Sequence, residues 1–106
     1  MEVELGSDVK QNVKIVKLFD HIPRGYYVYI HRKATSGEIF YVGKGRKDRG
    51  WKNDGRNLFW IRTANKYGCN CEIVLDNLTE DQALELEREY IAFFGRYTVE
   101  GGTLTN

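Results

Sequence analysis

Two segments rich in β-forming residues, separated by a short polar stretch, constrain the fold of this chain more than any other feature. Tyr26–His31 and Ile39–Val42 consist almost entirely of aromatic and β-branched residues. Between them lies Lys33–Gly37, whose small and polar residues suit a turn. The pattern therefore predicts an antiparallel β-hairpin.

The hairpin is expected to have two chemically different faces, because successive side chains of a strand point to opposite sides of a sheet. The predicted apolar face consists of Val28, Ile30, Phe40 and Val42. The predicted aromatic face consists of Tyr27, Tyr29, His31 and Tyr41. A row of phenols on one face suggests a functional role. The glycines of Gly43-Lys44-Gly45 are expected to end the second strand.

The rest of the sequence predicts two helices and one more strand. We expect a helix at residues 57–67, a strand at residues 71–75 and a helix at residues 80–94. Thr79 and Gln82 have the spacing of a capping box, and Gly68 and Gly95 are expected to stop the two helices. The predicted fold class is therefore α/β (α+β), with a small three-stranded sheet, the hairpin plus a third strand, flanked by helices.

A chain of 106 residues is long enough for one domain and too short for two. We expect residues 1–24 to form an N-terminal extension and residues 25–106 the domain proper. Ser7-Asp8 would cap a short helix in the extension, whereas Val13–Ile15 would equally suit a strand. No apolar run is long enough to cross a bilayer, and the N-terminus lacks a signal-peptide pattern. A soluble, cytoplasmic protein without a membrane partner is expected.

The two cysteines, Cys69 and Cys71, are separated by one residue. On a strand this spacing points both thiols to one face, and such neighbours seldom form a disulfide. A metal site would need more ligands than these cysteines and the distant His21 and His31 supply. Two reduced cysteines packed on one face of a strand are therefore favoured.

Charge is unevenly distributed along a chain whose net charge is only +1. Residues 44–66 hold eight basic side chains against two acidic ones, whereas residues 67–106 hold eight carboxylates against two arginines. A concentrated basic segment is typical of a phosphate-binding surface. A solvated loop and helix face is an equally common explanation for such a segment taken alone.

Glu87 is expected at the centre of the apolar stripe of its helix. Ala83, Leu84, Tyr90, Ile91 and Phe94 all point within about 60° of its direction, given roughly 100° per residue. A carboxylate there is unfavourable unless a cation, an arginine or a metal ion compensates its charge. A salt bridge to a basic side chain of another element and a functional site are both consistent with this position.

Together, the phenols, the basic segment and the inward carboxylate are the components that phosphodiester hydrolysis requires. The transition state at a scissile phosphate gains negative charge, which arginine and a divalent cation neutralise. The attacking water needs a proton acceptor, and a tyrosine can serve if a nearby cation lowers its pKa. One carboxylate, with water and phosphate oxygens, is sufficient to hold Mg²⁺.

These residues resemble a known family, the GIY-YIG nucleases. Tyr27-Val28-Tyr29 and, twelve positions after Tyr29, Tyr41-Val42-Gly43 resemble the paired signature of that family, with tyrosine in place of its first glycine. The residues Lys44-Gly45 and Arg49 look like the loop and the catalytic arginine. The stretch Ala83–Glu87 resembles the family's metal-binding helix, and Gly101–Asn106 its late asparagine segment. Five motifs thus occur in the family's order within residues 25–106.

The resemblance implies a metal-dependent endonuclease that hydrolyses DNA, with RNA as an alternative substrate. Tyr29 and Tyr41 would flank the attacking water, with Tyr29 favoured as the general base. Arg49 would bind the scissile phosphate, Glu87 would hold one Mg²⁺ or Mn²⁺, and Asn106 would support the site. No organic cofactor is implied, and the oligomeric state is left open. The residues expected to bind nucleic acid are Lys44, Arg46, Lys47, Lys52 and Arg56.

Many relatives carry histidine or tyrosine where this chain has Asn53, so a tyrosine is expected to carry more of the base role. Trp51, Phe59 and Trp60 lie among the basic residues and would stack on bases, although packing of Phe59 and Trp60 against the sheet is favoured.

Two other functions are consistent with the sequence. One is a nucleic-acid-binding module of the same fold with weak or no cleavage. The other is a protein-interaction domain that uses the aromatic face of the hairpin.

Overall fold

A mixed β-sheet with a helix packed against each face forms the body of the protein. The computed structural model describes residues 13–96 and 101–106. The elements in chain order are β1 (Ile15–Lys17), β2 (Tyr26–Lys33), β3 (Ile39–Arg46), α1 (Leu58–Tyr67), β4 (Cys69–Leu78) and α2 (Glu80–Phe94). A single 3₁₀ turn, Arg49–Trp51, follows β3.

The described part of the sheet has four strands in the order β1-β4-β2-β3. Strand β2 is antiparallel to both β3 and β4, and β1 is parallel to β4. The fold is therefore α+β, and the predicted hairpin is confirmed. The prediction of three strands was wrong, because Ile15–Lys17 pairs alongside Cys69–Cys71 and adds a fourth. Residues 13–24 thus supply one edge of the sheet, whereas the helix cap proposed at Ser7 and Asp8 lies outside the described residues.

The register of the hairpin shifts near its turn. His31 pairs with Tyr41, but the next residue, Arg32, pairs with Ile39, so Phe40 has no partner across the ladder. This bulge puts Phe40 and Tyr41 on the same side of the sheet. Phe40 accordingly packs with the aromatic residues and not with Val28, as simple alternation had predicted.

Strand β3 continues through Gly43-Lys44-Gly45 to Arg46, although the glycines were expected to end it. A methyl group at Gly45 would lie only 2.8 Å from Cβ of Arg49, and one at Gly43 would collide with the phenol of Tyr29. The glycines therefore leave room for large side chains over the strand without interrupting its pairing.

Each helix buries its apolar stripe against one face of the sheet. Helix α1 buries Trp60, Ile61 and Ala64 in a cluster that includes the buried residues of the aromatic face: Ile15, Tyr27, Tyr29, Phe40, Cys69 and Cys71. Helix α2 packs against the other face, where Val28, Ile30, Val42, Ala83 and Leu104 are buried. Trp60 packs in the core, as the sequence favoured for both Phe59 and Trp60. Phe59 is 44% exposed and is not a core residue.

The predicted C-terminal stops of both helices and the predicted capping box of α2 are confirmed, whereas α1 begins at Leu58 and not at Asn57 as expected. Asn57 caps α1 by accepting a hydrogen bond from the Trp60 N–H, and Gly68 follows its last residue. Thr79 and Gln82 form the expected capping box of α2, and Gly95 follows that helix.

The two cysteines are buried and unbridged in the cluster that α1 covers, as predicted.

Within the described ranges, no helix combines the length and apolar character needed to cross a bilayer.

Candidate active site

The outer edge of β3 is where the predicted site residues meet. Among the described strands, only β2 pairs with β3, so backbone groups of alternate β3 residues point outward from the sheet. Asn106 covers one of these residues: its Oδ1 accepts from the Val42 N–H at 3.1 Å, and its Nδ2 donates to the Val42 carbonyl at 2.6 Å. The carboxamide thus completes the edge beside Gly43.

Glu87 reaches the same edge from α2. Its Oε2 accepts a hydrogen bond from the Lys44 backbone N–H at 3.1 Å, two residues after Val42, which Asn106 binds. Burial raises the pKa of Glu87, and the Lys44 N–H and the positive charges of Lys44 and Arg88 act in the opposite direction. Among the described residues, no basic side chain forms an ion pair with Glu87. The carboxylate is therefore half-buried and held by a backbone amide, not neutralised by a cation of the protein.

Tyr29 approaches Gly43 from the aromatic face. The phenol lies directly over the α-carbon of Gly43, within the space that a side chain would occupy. Because Glu87 binds the very next residue, the phenol and the carboxylate lie near one point of β3 although they come from opposite faces of the sheet. Gly43 makes this approach possible.

Arg49 lies over Gly45 and completes the series along β3. Its Cβ and Cγ would be 2.8 and 2.9 Å from a methyl group at Gly45, and its Nη1 donates to the Asp54 carbonyl at 2.9 Å. Arg49 as a whole is half-buried. Arg49 therefore places a positive charge beside the phenol of Tyr29, where it contributes a small lowering of that group's pKa.

Tyr41 precedes these contacts on β3 and is the more accessible of the two predicted phenols. It is half-buried, whereas Tyr29 is only 1% exposed. The two rings are 6.2 Å apart, and the Arg56 guanidinium lies 5.3 Å from the Tyr41 ring centroid. Water can therefore reach Tyr41 more readily than Tyr29.

Arg56 lies inside the site and not on the surface, where it was expected to bind nucleic acid. It is 6% exposed, and its Nη1 donates to the Tyr29 hydroxyl at 2.7 Å. Its other N–H groups donate to the carbonyls of Arg49 and Lys52. The guanidinium also lies 5.4 Å from the Trp60 ring, and no carboxylate of the described residues pairs with it. Carbonyl groups and ring faces thus stabilise a buried cation.

One sequence signal could have identified Arg56 as a buried site residue. It immediately precedes Asn57, the N-cap of α1. A cation is unfavourable near a helix N-terminus because the helix dipole is positive there. An arginine in that position indicates that something else, here a phenol and two carbonyls, holds it.

The burial of Tyr29 argues against its predicted role as general base. Burial raises the pKa of Tyr29 well above its usual range, and the opposing effects of Arg56 and Arg49 do not reverse this. The phenol therefore keeps its proton. Because it accepts from Arg56, its own O–H is oriented to donate.

Tyr27 has a structural role at the base of the site. Its hydroxyl donates to the Lys47 carbonyl at 2.7 Å and accepts from the Gly50 N–H at 2.9 Å. It thereby holds the turn that carries Arg49. Burial raises the pKa of Tyr27 as well, so this hydroxyl also stays protonated.

Of the other residues expected to bind nucleic acid, three present their side chains to solvent. Arg46, Lys47 and Lys52 are exposed near the turn that follows β3. Lys44 differs, because its ammonium group pairs with Glu80 of α2 at 3.3 Å. Lys47 and Lys52 thus form an exposed basic surface on the side of the 3₁₀ turn, whereas the Arg46 guanidinium lies 5.5 Å from the Tyr26 ring on the α2 side of the sheet.

Asn53 has a structural role. Its Nδ2 donates to the Val13 carbonyl at 2.8 Å and ties the N-terminal segment to the loop. Asn57 also donates to the Thr105 carbonyl, at 3.0 Å. Neither carboxamide contributes a proton acceptor for chemistry.

The donor set at Glu87 fits a hard divalent cation. Magnesium typically binds one or two carboxylates and keeps several waters, so a single half-buried carboxylate without a protein counter-ion meets its needs. The described residues contain no cluster of three or more His, Cys, Asp or Glu side chains that would form a closed metal site. Glu87 is therefore the residue that would hold such an ion, with water and substrate oxygens as its other ligands.

The aromatic face of the hairpin does not form an exposed surface. Tyr27 and His31 are 0% exposed and Tyr29 is 1% exposed, because α1 and the 3₁₀ turn cover them. A protein partner could not use this face without displacing the helix.

Comparisons with protein-family models, with curated proteins and with solved structures gave no match to this chain.

Proposed function

We propose that this protein is a metal-dependent endonuclease of the GIY-YIG type that hydrolyses phosphodiester bonds in DNA. The observation that carries the proposal is the convergence on β3: Asn106, Tyr29, Glu87 and Arg49 contact the four consecutive residues Val42–Gly45, directly after Tyr41. Side chains so distant in the sequence gather at one strand edge, and they are the types that phosphodiester hydrolysis needs.

Each residue has a distinct role in this proposal. Arg49 binds the scissile phosphate and offsets the charge that develops on it. Tyr41, the phenol that water reaches, would orient the attacking water and, as its phenolate, accept that water's proton, and Tyr29 donates a hydrogen bond from a position set by Arg56. A divalent cation on Glu87, Mg²⁺ or Mn²⁺, would supply positive charge to the phosphate oxygens. Asn106 keeps the strand edge in place.

Nicking of supercoiled plasmid in the presence of Mg²⁺ tests the proposal. The wild-type protein should produce open circles before linear DNA, because one active centre cuts one strand per encounter. Glu87→Gln and Arg49→Ala should each lower the nicking rate by roughly 10²-fold or more. Glu85→Gln is the matched control, since Glu85 is exposed on the same helix and should not matter.

Folding of each variant is checked by its thermal melting curve. Glu87→Gln should not destabilise the protein through charge, because burial already disfavours the ionised carboxylate. If plasmid is bound but neither Mg²⁺ nor Mn²⁺ supports nicking, the binding module becomes the better description. If Glu85→Gln is as inactive as Glu87→Gln, the assignment of the site is wrong.

A further inference from the structure

A basic pocket lies where β1 meets the turn after β3, outside the residues assigned above to catalysis. Lys14 and Lys17 come from the N-terminal segment, and Trp51 and Lys52 from the loop; these four residues define the lysine pocket. Its volume is about 500 Å³, and no acidic side chain of the described residues lines it. The pocket therefore concentrates three positive charges around one aromatic ring.

Specific contacts hold the two sides of the lysine pocket together. The Asn53 side chain donates to the Val13 carbonyl at 2.8 Å, which fixes the N-terminal segment against the loop. The Trp51 ring packs edge-on against Phe19 at 5.3 Å, and the Lys17 ammonium lies 5.3 Å from its centroid. The fold thus places the two segments that carry the lysines side by side, and the Trp51 ring positions the Lys17 ammonium.

The lysine pocket is directly connected to the candidate active site. Trp51 stacks on Tyr27 with ring centroids 6.2 Å apart, and Tyr27 lies 6.0 Å from Tyr29. On the loop side, the Lys52 carbonyl accepts hydrogen bonds from Arg56, which holds the Tyr29 phenol. One aromatic ring therefore separates the pocket from the phenol at the site.

We propose that the lysine pocket binds an unpaired nucleic-acid strand next to the scissile phosphate. Lysines 14, 17 and 52 would contact backbone phosphates, and an unpaired base would take the place of the Lys17 ammonium on the Trp51 ring. The ammonium would then be free to pair with a phosphate. This inference rests on the proposed function for the location of the cut, but it assigns substrate binding to a segment that the catalytic residues do not include.

Titration with a 12-residue oligothymidylate tests the proposal without requiring cleavage. EDTA is present, so binding and catalysis are measured separately. Binding should quench tryptophan fluorescence, because Trp51 is half-buried whereas Trp60 is fully buried. The quench should disappear in Trp51→Phe, while fluorescence anisotropy of labelled oligonucleotide still reports binding.

The charge variants Lys14→Glu and Lys17→Glu should each weaken binding on the order of tenfold at low salt. Arg88→Glu changes net charge equally but lies exposed on α2, against the other face of the sheet, and should change affinity less than twofold. If a glutamate variant fails to fold by circular dichroism, Lys14→Gln and Lys17→Gln replace it and should show a smaller loss in the same direction.

Three results would overturn the proposal. They are no quench of Trp51 by the oligothymidylate, equal weakening by Arg88→Glu, and a lysine-dependent affinity for duplex DNA that exceeds that for the single strand. A protein that fails to nick plasmid but meets the binding expectations refutes the proposed function and leaves the lysine pocket established. A protein that nicks plasmid but binds no oligothymidylate supports the proposed function and refutes the lysine pocket as a binding site.

Discussion

The hydroxyl of Tyr29 is held by the guanidinium of Arg56, and this contact determines what the phenol can do. A buried cation 2.7 Å away favours the phenolate, yet burial of the ring disfavours any charge on it more strongly. The protonated phenol is then a hydrogen-bond donor that lies over Gly43. Tyr41 is the more exposed of the two phenols, so water reaches it more readily.

His31 is a second buried polar residue whose state follows from its contacts. The Trp60 indole N–H donates to Nδ1 of His31 at 2.9 Å, and an indole can only donate. The proton of the neutral imidazole must therefore be on Nε2, which lies 2.7 Å from the Gly50 carbonyl and donates to it. Burial lowers the pKa of His31 to about 3, with smaller contributions from Arg56 and Arg49 in the same direction.

His31 should make folding stability depend on pH. In the unfolded chain its pKa is about 6.5, so between pH 6.5 and about 3 the unfolded state takes up a proton that the folded state does not. The free energy of unfolding is therefore unaffected by protonation of His31 above pH 6.5. Below that pH, proton uptake by His31 in the unfolded state lowers the free energy of unfolding by at most about 1.4 kcal/mol per pH unit. Urea unfolding at pH 7, 6 and 5 should show this slope in the wild type and a smaller slope in His31→Gln.

His21→Gln is the control for this measurement, because His21 is exposed on the N-terminal side of Pro23 and is the other histidine of the chain. It should keep the wild-type slope. A pH dependence that disappears with His21 and persists without His31 would contradict the assignment.

At the level of elements, the C-terminal segment protects the exposed edge of β3. The Thr105 N–H donates to the Phe40 carbonyl at 2.7 Å, and Asn106 pairs with both backbone groups of Val42. Leu104 is fully buried against the α2 side of the sheet. An open strand edge invites pairing with other chains, so this segment both closes the fold and positions Asn106 at the site.

The seating of this segment depends on Gly102. A methyl group there would overlap the carbonyl oxygens of Phe94 and Gly95, which are backbone atoms that cannot move aside. Gly102→Ala should therefore displace the segment, lower stability by roughly 1–3 kcal/mol and reduce nicking. Urea unfolding and the plasmid assay measure the two effects.

Thr103→Ala is the matched control for Gly102→Ala, because Thr103 is the exposed neighbour of Gly102. It should leave both stability and nicking near wild type. Equal effects of the two substitutions would show that the close packing of Gly102 is not what holds the segment.

At the level of the whole molecule, positive and negative charges are separated by the sheet. The basic turn and α1 lie on the aromatic face, whereas α2, which carries five carboxylates and one arginine, packs on the other. A polyanion should therefore approach mainly the face of the 3₁₀ turn, although Lys44 and Arg46 lie on the α2 side. A net charge of +1 conceals this arrangement.

This separation predicts a salt dependence for the binding of duplex DNA. The exposed cations Lys47 and Lys52, together with Arg49, would contact phosphates, so log K should fall with log salt concentration with a slope of roughly −2 to −3. Anisotropy titrations of a 20-base-pair duplex between 50 and 200 mM KCl measure it. A slope near zero would favour a protein-interaction function instead.

Much of the local structure could be predicted from the sequence because it depends on neighbours along the chain. The hairpin follows from β-forming residues around a polar turn, and the ends of both helices follow from the caps at Asn57 and Thr79 and from the glycines after them. The inward direction of Glu87 follows from the helical repeat alone. These features involve residues at most a few positions apart.

Only the tertiary structure decided which distant groups meet. Three features depend on contacts between segments that no local repeat relates. They are the bulge that turns Phe40 to the aromatic face, the pairing of β1 with β4, and the burial of Arg56 against Tyr29. The sequence by itself determined the hairpin, the two helices and the chemical types of the candidate site residues. The meeting of a carboxylate and a phenol near Gly43 was decided by packing from both faces of the sheet, since only the folded sheet brings those faces together at one edge.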